Sequence, residues 1–302
     1  MTAAATTEAR IGPGLLRIRA PNPSPMTGSG TNSWVLGKER VLIVDPGPED
    51  NAHLAALKAA VAGREVAGVV VTHSHRDHVA LAPRLAGELD APLMGFGPVA
   101  PGSALDGLGL EMVRPGAGGE GKGAVFRPDI RLADGVTVEG WRIIHTPGHL
   151  GDHVCLWRED GTLVTGDHVM GWSTSIVAPP AGDMGDYMRS LDRLAALRPR
   201  LGLPGHGELL TDPAARIAEL KTRRRGREAR LLAALARGSA TCPDLTARLY
   251  RGLASELIRA AELTCLAHLL ALAQTGRVET GGGPWREARF ALVPGQDTPA
   301  AA

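Results

Sequence analysis

The alternation of apolar and polar positions predicts strands and short helices over the first 210 residues of the chain. Short apolar runs bounded by Gly, Pro and Asp are typical of strands, whereas apolar residues that recur every three or four positions are typical of helices. The chain opens with a β-meander and continues with alternating strands and helices. The predicted strands cover residues 15–19, 31–36, 41–44, 66–71, 130–132, 136–138, 141–144, 154–157, 162–165 and 201–203, and the helices lie near residues 54–61, 79–89 and 187–197.

The pattern changes near Thr211, where longer helices begin. A helix is predicted from Pro213 to about residue 236, because proline is tolerated in a first helical turn. Thr241 is expected to cap a second helix, and residues 256–274 form a third. The final strand signals, residues 277–280 and 286–293, read as a hairpin. Helices followed by a hairpin indicate a winged helix.

The periodicity divides the chain into four parts. Residues 1–10 and 295–302 are expected to be disordered, residues 11–210 form the first domain, and residues 211–294 form a basic linker helix and winged-helix domain. Within the first domain, the Gly- and Pro-rich residues 95–123 have little periodicity. A loop of this length in a compact domain is usually functional or disordered, so it could cover a site.

Composition restricts the classes of function. The 302 residues are 44% hydrophobic and 22% charged, which is enough for a full core. A formal net charge of +1 excludes a global attraction to nucleic acid or membranes, and 3% aromatic residues argue against base-stacking platforms. The start lacks a cationic and apolar leader pattern, so a cytoplasmic location is expected. Three widely spaced cysteines favour reduced thiols.

Residues 71–78, V-T-H-S-H-R-D-H, carry the clearest chemistry. They follow an apolar run and present His73, His75, Asp77 and His78 in quick succession. Residues at i and i+2 of an extended segment point the same way, so His73 and His75 could bind one ion and the offset pair a second. A solvated His-rich turn is the alternative. Ligand sites of α/β sheets gather at strand ends, which favours a metal site.

Polar side chains follow three further predicted strands in the same way. The complete set of ligand-type side chains is His73, His75, Asp77, His78, His149, Asp167 and His206. This set is too large for one tetrahedral ion but suits two ions that share a carboxylate. Nitrogen and oxygen ligands without cysteine favour zinc, with manganese or iron as alternatives.

The ordered motifs T-H-S-H-R-D-H, H-T-P-G-H, T-G-D-H and P-G-H-G resemble the metallo-β-lactamase superfamily. The resemblance implies an α+β fold, an αββα sandwich with the site at one edge, followed here by the winged helix. By matched position, the first ion would be held by His73, His75 and His149, the second by Asp77, His78 and His206, and both by Asp167. Asp77 and Asp167 would then serve catalysis too, since such ions lower the pKa of a shared water whose hydroxide attacks the substrate.

Six further residues are weaker candidates for support or substrate contact: Asp45, His145, His153, His168, Ser173 and Thr174. In the family an acid at the place of Asp45 supports the ligands, although a turn-forming role is equally consistent with the sequence. His145 is expected to be a supporting or core residue. His153 and His168 could contact substrate or be structural. Ser173 and Thr174 could bind a phosphate or merely end a strand.

The substrate is left open between three readings. The presence of Asp167 argues against lactam hydrolysis, and a C-terminal hairpin argues against a close match to glyoxalase II. The chain more closely resembles β-lactamase-like proteins with a C-terminal winged helix, a group that includes an endoribonuclease. Residues 211–230, with seven basic against three acidic side chains, add a basic helix that could bind phosphate or simply be solvated.

We therefore expect a binuclear hydrolase that cleaves a phosphodiester, in single-stranded RNA or a nucleotide. A thioesterase or esterase of the glyoxalase II type is the first alternative. A nucleic-acid-binding winged-helix protein with a vestigial metal site is the second. The expected partners are a small-molecule or RNA substrate and no membrane, and a homodimer is one expectation for the winged helix.

Overall fold

The computed structural model describes residues 6–99, 110–111 and 126–295. The strands of the first part are β1 (Thr7–Gly12), β2 (Leu15–Arg19), β3 (Asn32–Gly37), β4 (Arg40–Val44), β5 (Glu65–Val70), β6 (Leu93–Gly95), β7 (Leu110–Glu111), β8 (Ile130–Arg131), β9 (Thr137–Val138), β10 (Trp141–His145), β11 (Val154–Trp157), β12 (Thr162–Gly166) and β13 (Leu201–Pro204). The helices of this part are α1 (Asn51–Val61), α2 (Arg76–Val79), α3 (Ala82–Glu88) and α4 (Met184–Ala196).

Two mixed sheets face each other at the centre of the first part. Among the described residues, one sheet has the order β1-β2-β3-β4-β5-β6-β8 and the other the order β13-β12-β11-β10-β9. The first is antiparallel from β1 to β4 and parallel from β4 to β8, and the second ends in the parallel pair β12 and β13. Parallel neighbours bring the carboxyl ends of several strands to one edge.

The strand sequences explain why helices cover both outer faces. Along β4, Leu42 and Val44 pack between the sheets, whereas Val41 and Ile43 pack against α1 and α3. Successive side chains of a strand point to opposite faces, so an uninterrupted apolar strand needs cover on both sides. On the second sheet, α4 and the first turns of the next helix supply that cover. The layers are therefore α, β, β, α, and the predicted sandwich is confirmed.

The C-terminal part is a winged helix. Its elements are α5 (Pro213–Leu235), β14 (Ala240–Thr241), α6 (Cys242–Leu249), α7 (Ser255–Gln274), β15 (Val278–Thr280), β16 (Gly283–Pro284) and β17 (Arg289–Leu292). Thr241 and Asp244 form a reciprocal capping box at the start of α6. Trp285 and Phe290 are buried in a core of their own with α6 and α7. The predicted winged-helix domain is thus confirmed.

The structure differs from the predicted elements in two places. Residues 7–10, which were expected to be disordered, form most of β1, which pairs with β2 and satisfies the hydrogen-bonding groups along its edge. The single helix predicted at residues 79–89 is instead α2 and α3, because Pro83 in the first turn of α3 favours a new start. The expected loop at 95–123 and the expected tail at 295–302 fall largely outside the described residues. No helix in the described part of the chain combines the length and apolarity needed to cross a membrane.

Candidate metal centre

The predicted ligands converge because they follow strands that end at the same edge of the sandwich. Residues 72–78 follow β5, His149 lies in the connection from β10 to β11, Asp167 follows β12 and His206 follows β13. Backbone hydrogen bonds tie this edge together: Asn32 N donates to Gly205 O at 2.7 Å, and Gly205 N donates to Gly166 O at 2.8 Å. The two sheets therefore hold the site as one rigid rim.

The first cluster contains three imidazoles and one carboxylate. Nδ1 of His75 lies 3.0 Å from Nε2 of His73 and 3.0 Å from Nε2 of His149. Oδ2 of Asp167 is 3.9 Å from Nε2 of His73 and 3.8 Å from Nε2 of His149. One ligand atom from each of the four residues lies within 4.8 Å of the others. The four donors thus surround a common point.

The second cluster contains Asp77, His78 and His206. Nε2 of His206 lies 3.2 Å from Nε2 of His78 and 3.2 Å from Oδ2 of Asp77. Asp167 reaches this cluster too, with Oδ1 at 3.5 Å from Nε2 of His78 and Oδ2 at 3.3 Å from Nε2 of His206. Asp167 therefore lies between the two clusters, where a shared ligand must lie.

The donor set fits two divalent cations. Nitrogens bound tetrahedrally to zinc at its usual bond length are about 3.3 Å apart, which is close to the separations observed within both clusters. Asp167 Oδ1 is buried and has no hydrogen-bond partner among the described residues. A Cβ on Gly205 would lie 2.3 Å from this oxygen, so glycine leaves the room that the carboxylate needs. Because the donors are nitrogen and oxygen, zinc, manganese and iron all suit them.

The site's electrostatics also favour cations. Burial lowers the pKa of His73 well below its usual value, and nearby His78 adds to the effect. Burial alone would raise the pKa of Asp167, but His206 and His78 outweigh it and hold that pKa well below its ordinary value. Burial alone would lower the pKa of His206, but Asp167 outweighs it and raises that pKa to about 9. The carboxylates thus hold positive charge at the second cluster.

Partners outside the clusters orient several ligands. Asp45 Oδ2 lies 2.9 Å from Nδ1 of His78 and accepts a hydrogen bond from Thr72 Oγ1 at 2.7 Å. Its other oxygen, Oδ1, accepts from Thr72 N at 2.7 Å. Asp45 is buried at a φ of 51°. With Nδ1 of His78 directed at Asp45, Nε2 is left to face the second cluster.

Sequence reasoning missed most of the other supporting contacts. His149 Nδ1 lies 2.5 Å from the carbonyl oxygen of Ile176, and His206 Nδ1 lies 3.3 Å from that of Gly30. Thr31 Oγ1 donates to Asp77 Oδ2 at 3.1 Å. Ser175 Oγ donates to the carbonyl oxygens of Asp167 and His168. Backbone carbonyls carry no sequence signal, and the Thr31 contact joins residues far apart in the chain.

The weaker histidine candidates lie outside the groups able to hold an ion. His145 stacks on Phe96 with ring centroids 3.9 Å apart, and its Nε2 lies 2.8 Å from the carbonyl oxygen of Gly151. His153 and His168 are fully buried. Burial lowers the pKa of His168 to about 3 and also lowers that of His153. Both imidazoles thus lie buried beneath the ligands, and Nδ1 of His153 lies 2.8 Å from Thr146 Oγ1.

A groove of about 2710 Å³ runs from the clusters toward the winged helix. Ser173 and Thr174 line it, and so do His75, Asp167 and His206. The loop containing Ser173 and Thr174 is held from α5, because Arg216 donates to the carbonyl oxygens of Met170 and Ser173, each at 2.7 Å. Arg224, on the same helix, donates to the carbonyl oxygen of Ser175. One groove thus joins the metal centre to the C-terminal part.

Comparisons with known proteins agree with this architecture. The family model described as "Metallo-beta-lactamase superfamily" matches residues 26–206, and "Beta-lactamase associated winged helix domain" matches residues 241–285. The chain is 31% identical to "Lactamase-like protein adaB" of Aspergillus niger, with 93% of this chain and 86% of that protein covered. It is 29% identical to "Atrochrysone carboxyl ACP thioesterase" of Claviceps purpurea, with 84% of this chain and 78% of that protein covered.

A solved structure is similar over almost the whole length. The crystal structure of a metallo-beta-lactamase family protein from Thermus thermophilus has a TM-score of 0.72 and 28% sequence identity. The match covers 94% of this chain and 100% of that chain. The similarity therefore includes the winged helix as well as the sandwich.

Proposed function

We propose, from the premise that this chain belongs to the metallo-beta-lactamase superfamily and is a hydrolase, that it uses two divalent metal ions to cleave a thioester or ester. One observation carries the two-ion assignment: Asp167 lies within 4 Å of donor nitrogens in both clusters. We assign His73, His75 and His149 to one ion, Asp77, His78 and His206 to the other, and Asp167 to both. Zinc is the first candidate metal.

Residues around the two clusters would hold the ions, orient the ligands or contact the substrate. The bound ions would supply the Lewis acidity that ionises water near neutral pH. Asp45 fixes the tautomer of His78 through Nδ1, and the carbonyl oxygen of Ile176 does the same for His149. Asp77 and Asp167 keep negative charge at the rim, where the cations are needed. We assign Ser173 and Thr174, which line the groove, to substrate contact rather than to the ions.

Two observations support a thioester as the bond that is cleaved. A relative at 29% identity is named an ACP thioesterase, and the match covers 84% of this chain. The groove beside the clusters has apolar walls near the centre, including Ile176, Pro179 and Pro180. Such walls suit an acyl chain or the arm that carries it.

A phosphodiester is the second candidate substrate. Its support is the basic face of α5, since Arg223, Arg227 and Arg230 line the same groove as the metal centre. Arginine binds phosphate oxygens in a bidentate manner. The alternative of a nucleic-acid-binding protein with a vestigial metal site is disfavoured, because the complete predicted ligand set converges and the chain is a hydrolase. A homodimer and a cytoplasmic location stay predictions from sequence.

Hydrolysis of a defined set of substrates tests the proposal. The zinc-loaded protein should hydrolyse an acyl N-acetylcysteamine thioester faster than bis-p-nitrophenyl phosphate or single-stranded RNA. Hydrolysis of RNA or bis-p-nitrophenyl phosphate without hydrolysis of the thioester would favour a phosphodiester as the substrate. Inactivity of the metal-replete protein on all three would contradict both.

Two histidines of one motif form a matched pair of variants. His149→Ala removes a proposed ligand and should abolish both hydrolysis and binding of the first ion. His145→Ala removes an imidazole that stacks on Phe96 and lies outside the clusters. This control should retain two bound ions per chain by elemental analysis. Equal metal loss in both variants would overturn the assignment of His149.

A further inference from the structure

The structure sorts the basic residues of α5 into paired and unpaired cations. Three of them have acidic partners: Arg216 and Arg223 contact Glu219, and Lys221 contacts Asp192. Arg227 and Arg230 have no carboxylate within ion-pair distance in the part of the chain that the structure describes. Both arginines line the groove that leads to the metal centre. Arg224 also lines it without a carboxylate partner, but its guanidinium donates to the carbonyl oxygen of Ser175.

Arg227 is held by an aromatic ring. Its guanidinium carbon lies 3.8 Å from the centroid of the Tyr250 ring, which gives a cation–π contact. Its Nη1 is buried without a hydrogen-bond partner among the described residues. Burial lowers the pKa of Arg227, and the like charges of Arg230 and Arg224 lower it further. An anion beside these side chains would relieve that repulsion.

The position of α5 sets the distance from the metal centre. Arg224 donates to the carbonyl oxygen of Ser175, and Ser175 Oγ donates to that of Asp167. With the usual helical rise, Arg227 lies about 4.5 Å and Arg230 about 9 Å farther along the helix axis than Arg224. Arg227 and Arg230 therefore lie progressively farther along the helix than Arg224, the residue that contacts the loop beside Asp167.

We propose that Arg227 and Arg230 form a subsite for a phosphate group that the substrate carries at the far end of an arm from its scissile thioester. This inference rests on the proposed thioesterase function. A phosphopantetheine arm has this chemistry, since a linear, mostly uncharged chain separates its thiol from its phosphate. The groove wall between the two ends includes Ile176, Leu257 and Leu263, which suit such an arm.

A nucleic acid strand fits the same groove less well. A strand presents a phosphate at every nucleotide, and binding proteins commonly add aromatic rings on which bases stack. Arg227 and Arg230 lie on adjacent turns of one helix, and Arg227 already covers the Tyr250 ring. Further cations, Arg76 and Arg127, and the exposed ring of Trp172 lie on other parts of the groove wall. At Arg227 and Arg230 themselves, the contacts therefore suit a single phosphate group.

Three thioesters with the same acyl group would test the subsite: those of phosphopantetheine, pantetheine and N-acetylcysteamine. The double variant R227Q/R230Q should raise KM for the phosphopantetheine thioester on the order of tenfold or more. Its kcat, and its KM for both phosphate-free thioesters, should stay at the wild-type values. Arg225→Gln, which changes an exposed arginine outside the groove lining, is the matched control.

Equal KM changes for the phosphopantetheine and pantetheine thioesters would overturn the subsite. If the wild-type protein hydrolyses none of the three, the proposed function fails, and calorimetry with phosphopantetheine itself still decides the subsite. The wild type should then bind phosphopantetheine more tightly than pantetheine, and R227Q/R230Q should lose the difference. Loss of single-stranded RNA binding in the double variant, with unchanged phosphopantetheine binding, would assign these arginines to nucleic acid and refute the proposal.

Discussion

Replacement of Asp45 by Asn is expected to weaken metal binding at Asp77, His78 and His206. The carboxylate of Asp45 accepts hydrogen bonds on both oxygens, from Thr72 N and Thr72 Oγ1, and faces Nδ1 of His78. Asn keeps the shape of the side chain. It also tolerates the positive φ of this position, so the backbone need not move. The substitution therefore tests the charge and the hydrogen bonds alone.

The magnitude follows from the tautomer of His78. If the new amide NH2 takes the place of Oδ2, it donates to Nδ1 of His78 and moves the imidazole proton to Nε2, the atom that faces the second cluster. If the NH2 takes the place of Oδ1, it opposes the backbone N–H of Thr72 and leaves a buried donor unpaired. Loss of such a partner typically reduces metal affinity 10- to 100-fold, which is about 1.4 to 2.7 kcal/mol.

Competition with a chromophoric chelator measures this effect. Zinc titration should show one ion bound as in the wild type and one bound about 10 to 100 times more weakly. Asp160→Asn is the matched control, because it changes an exposed carboxylate that pairs with Arg158 far from the clusters. Two unchanged affinities, or an equal loss at both ions, would refute the role given to Asp45.

Two further predictions use matched positions elsewhere. Gly205→Ala would place a Cβ 2.3 Å from Asp167 Oδ1 and 2.7 Å from His78 Cε1, so metal content by elemental analysis and thioester hydrolysis should both collapse. Gly226→Ala in α5, where an added Cβ would have nothing within 4 Å, should leave metal content and hydrolysis unchanged and stabilise the fold by roughly 0.5–1 kcal/mol. Normal metal content and activity in Gly205→Ala would contradict the predicted clash with Asp167 and His78. Burial lowers the pKa of His268 to about 3, so between pH 3 and its ordinary value near 6.5 the unfolded chain binds a proton that the folded chain does not. The free energy of unfolding should fall as pH drops through that window, by up to about 1.4 kcal/mol per pH unit. The calorimetric melting temperature of His268→Leu should therefore depend less on pH than that of the wild type. The same pH dependence of the melting temperature in both proteins would contradict this prediction.

The seven converging side chains could be predicted because polar residues at strand ends leave local signals, whereas the sandwich was implied by the resemblance of four ordered motifs to a known family. An apolar run followed by His73 and His75 indicates the end of a strand, and this signal does not depend on distant parts of the sequence. The family match and the solved structure confirm the fold that these motifs indicate. β1 was not predicted, because residues 7–12 contain only two apolar side chains larger than glycine and are ordered by pairing with β2 rather than by burial.

The supporting contacts could not be predicted from local pattern. Asp45 and His78 are 33 positions apart, and His149 is oriented by a carbonyl group that every residue possesses. The same holds for part of the basic helix. Helical spacing alone predicts that Glu219 pairs with Arg223, four residues later, but only the fold shows that the Tyr250 ring faces Arg227.

Helix α5 contacts the loop beside Asp167 and also lines the groove that leads away from the metal centre. Arg216 and Arg224 use their charge to hold the loop whose residue Ser175 donates to the backbone of Asp167 and whose residue Ile176 orients His149. Arg227 and Arg230, farther along the same helix, line the groove and have no carboxylate partner among the described residues. A substrate that bound the second pair would therefore contact the same helix that holds this loop. Changes at Arg224 should accordingly alter kcat through the ligands, whereas changes at Arg227 should alter KM, and this division separates the two uses of one basic helix.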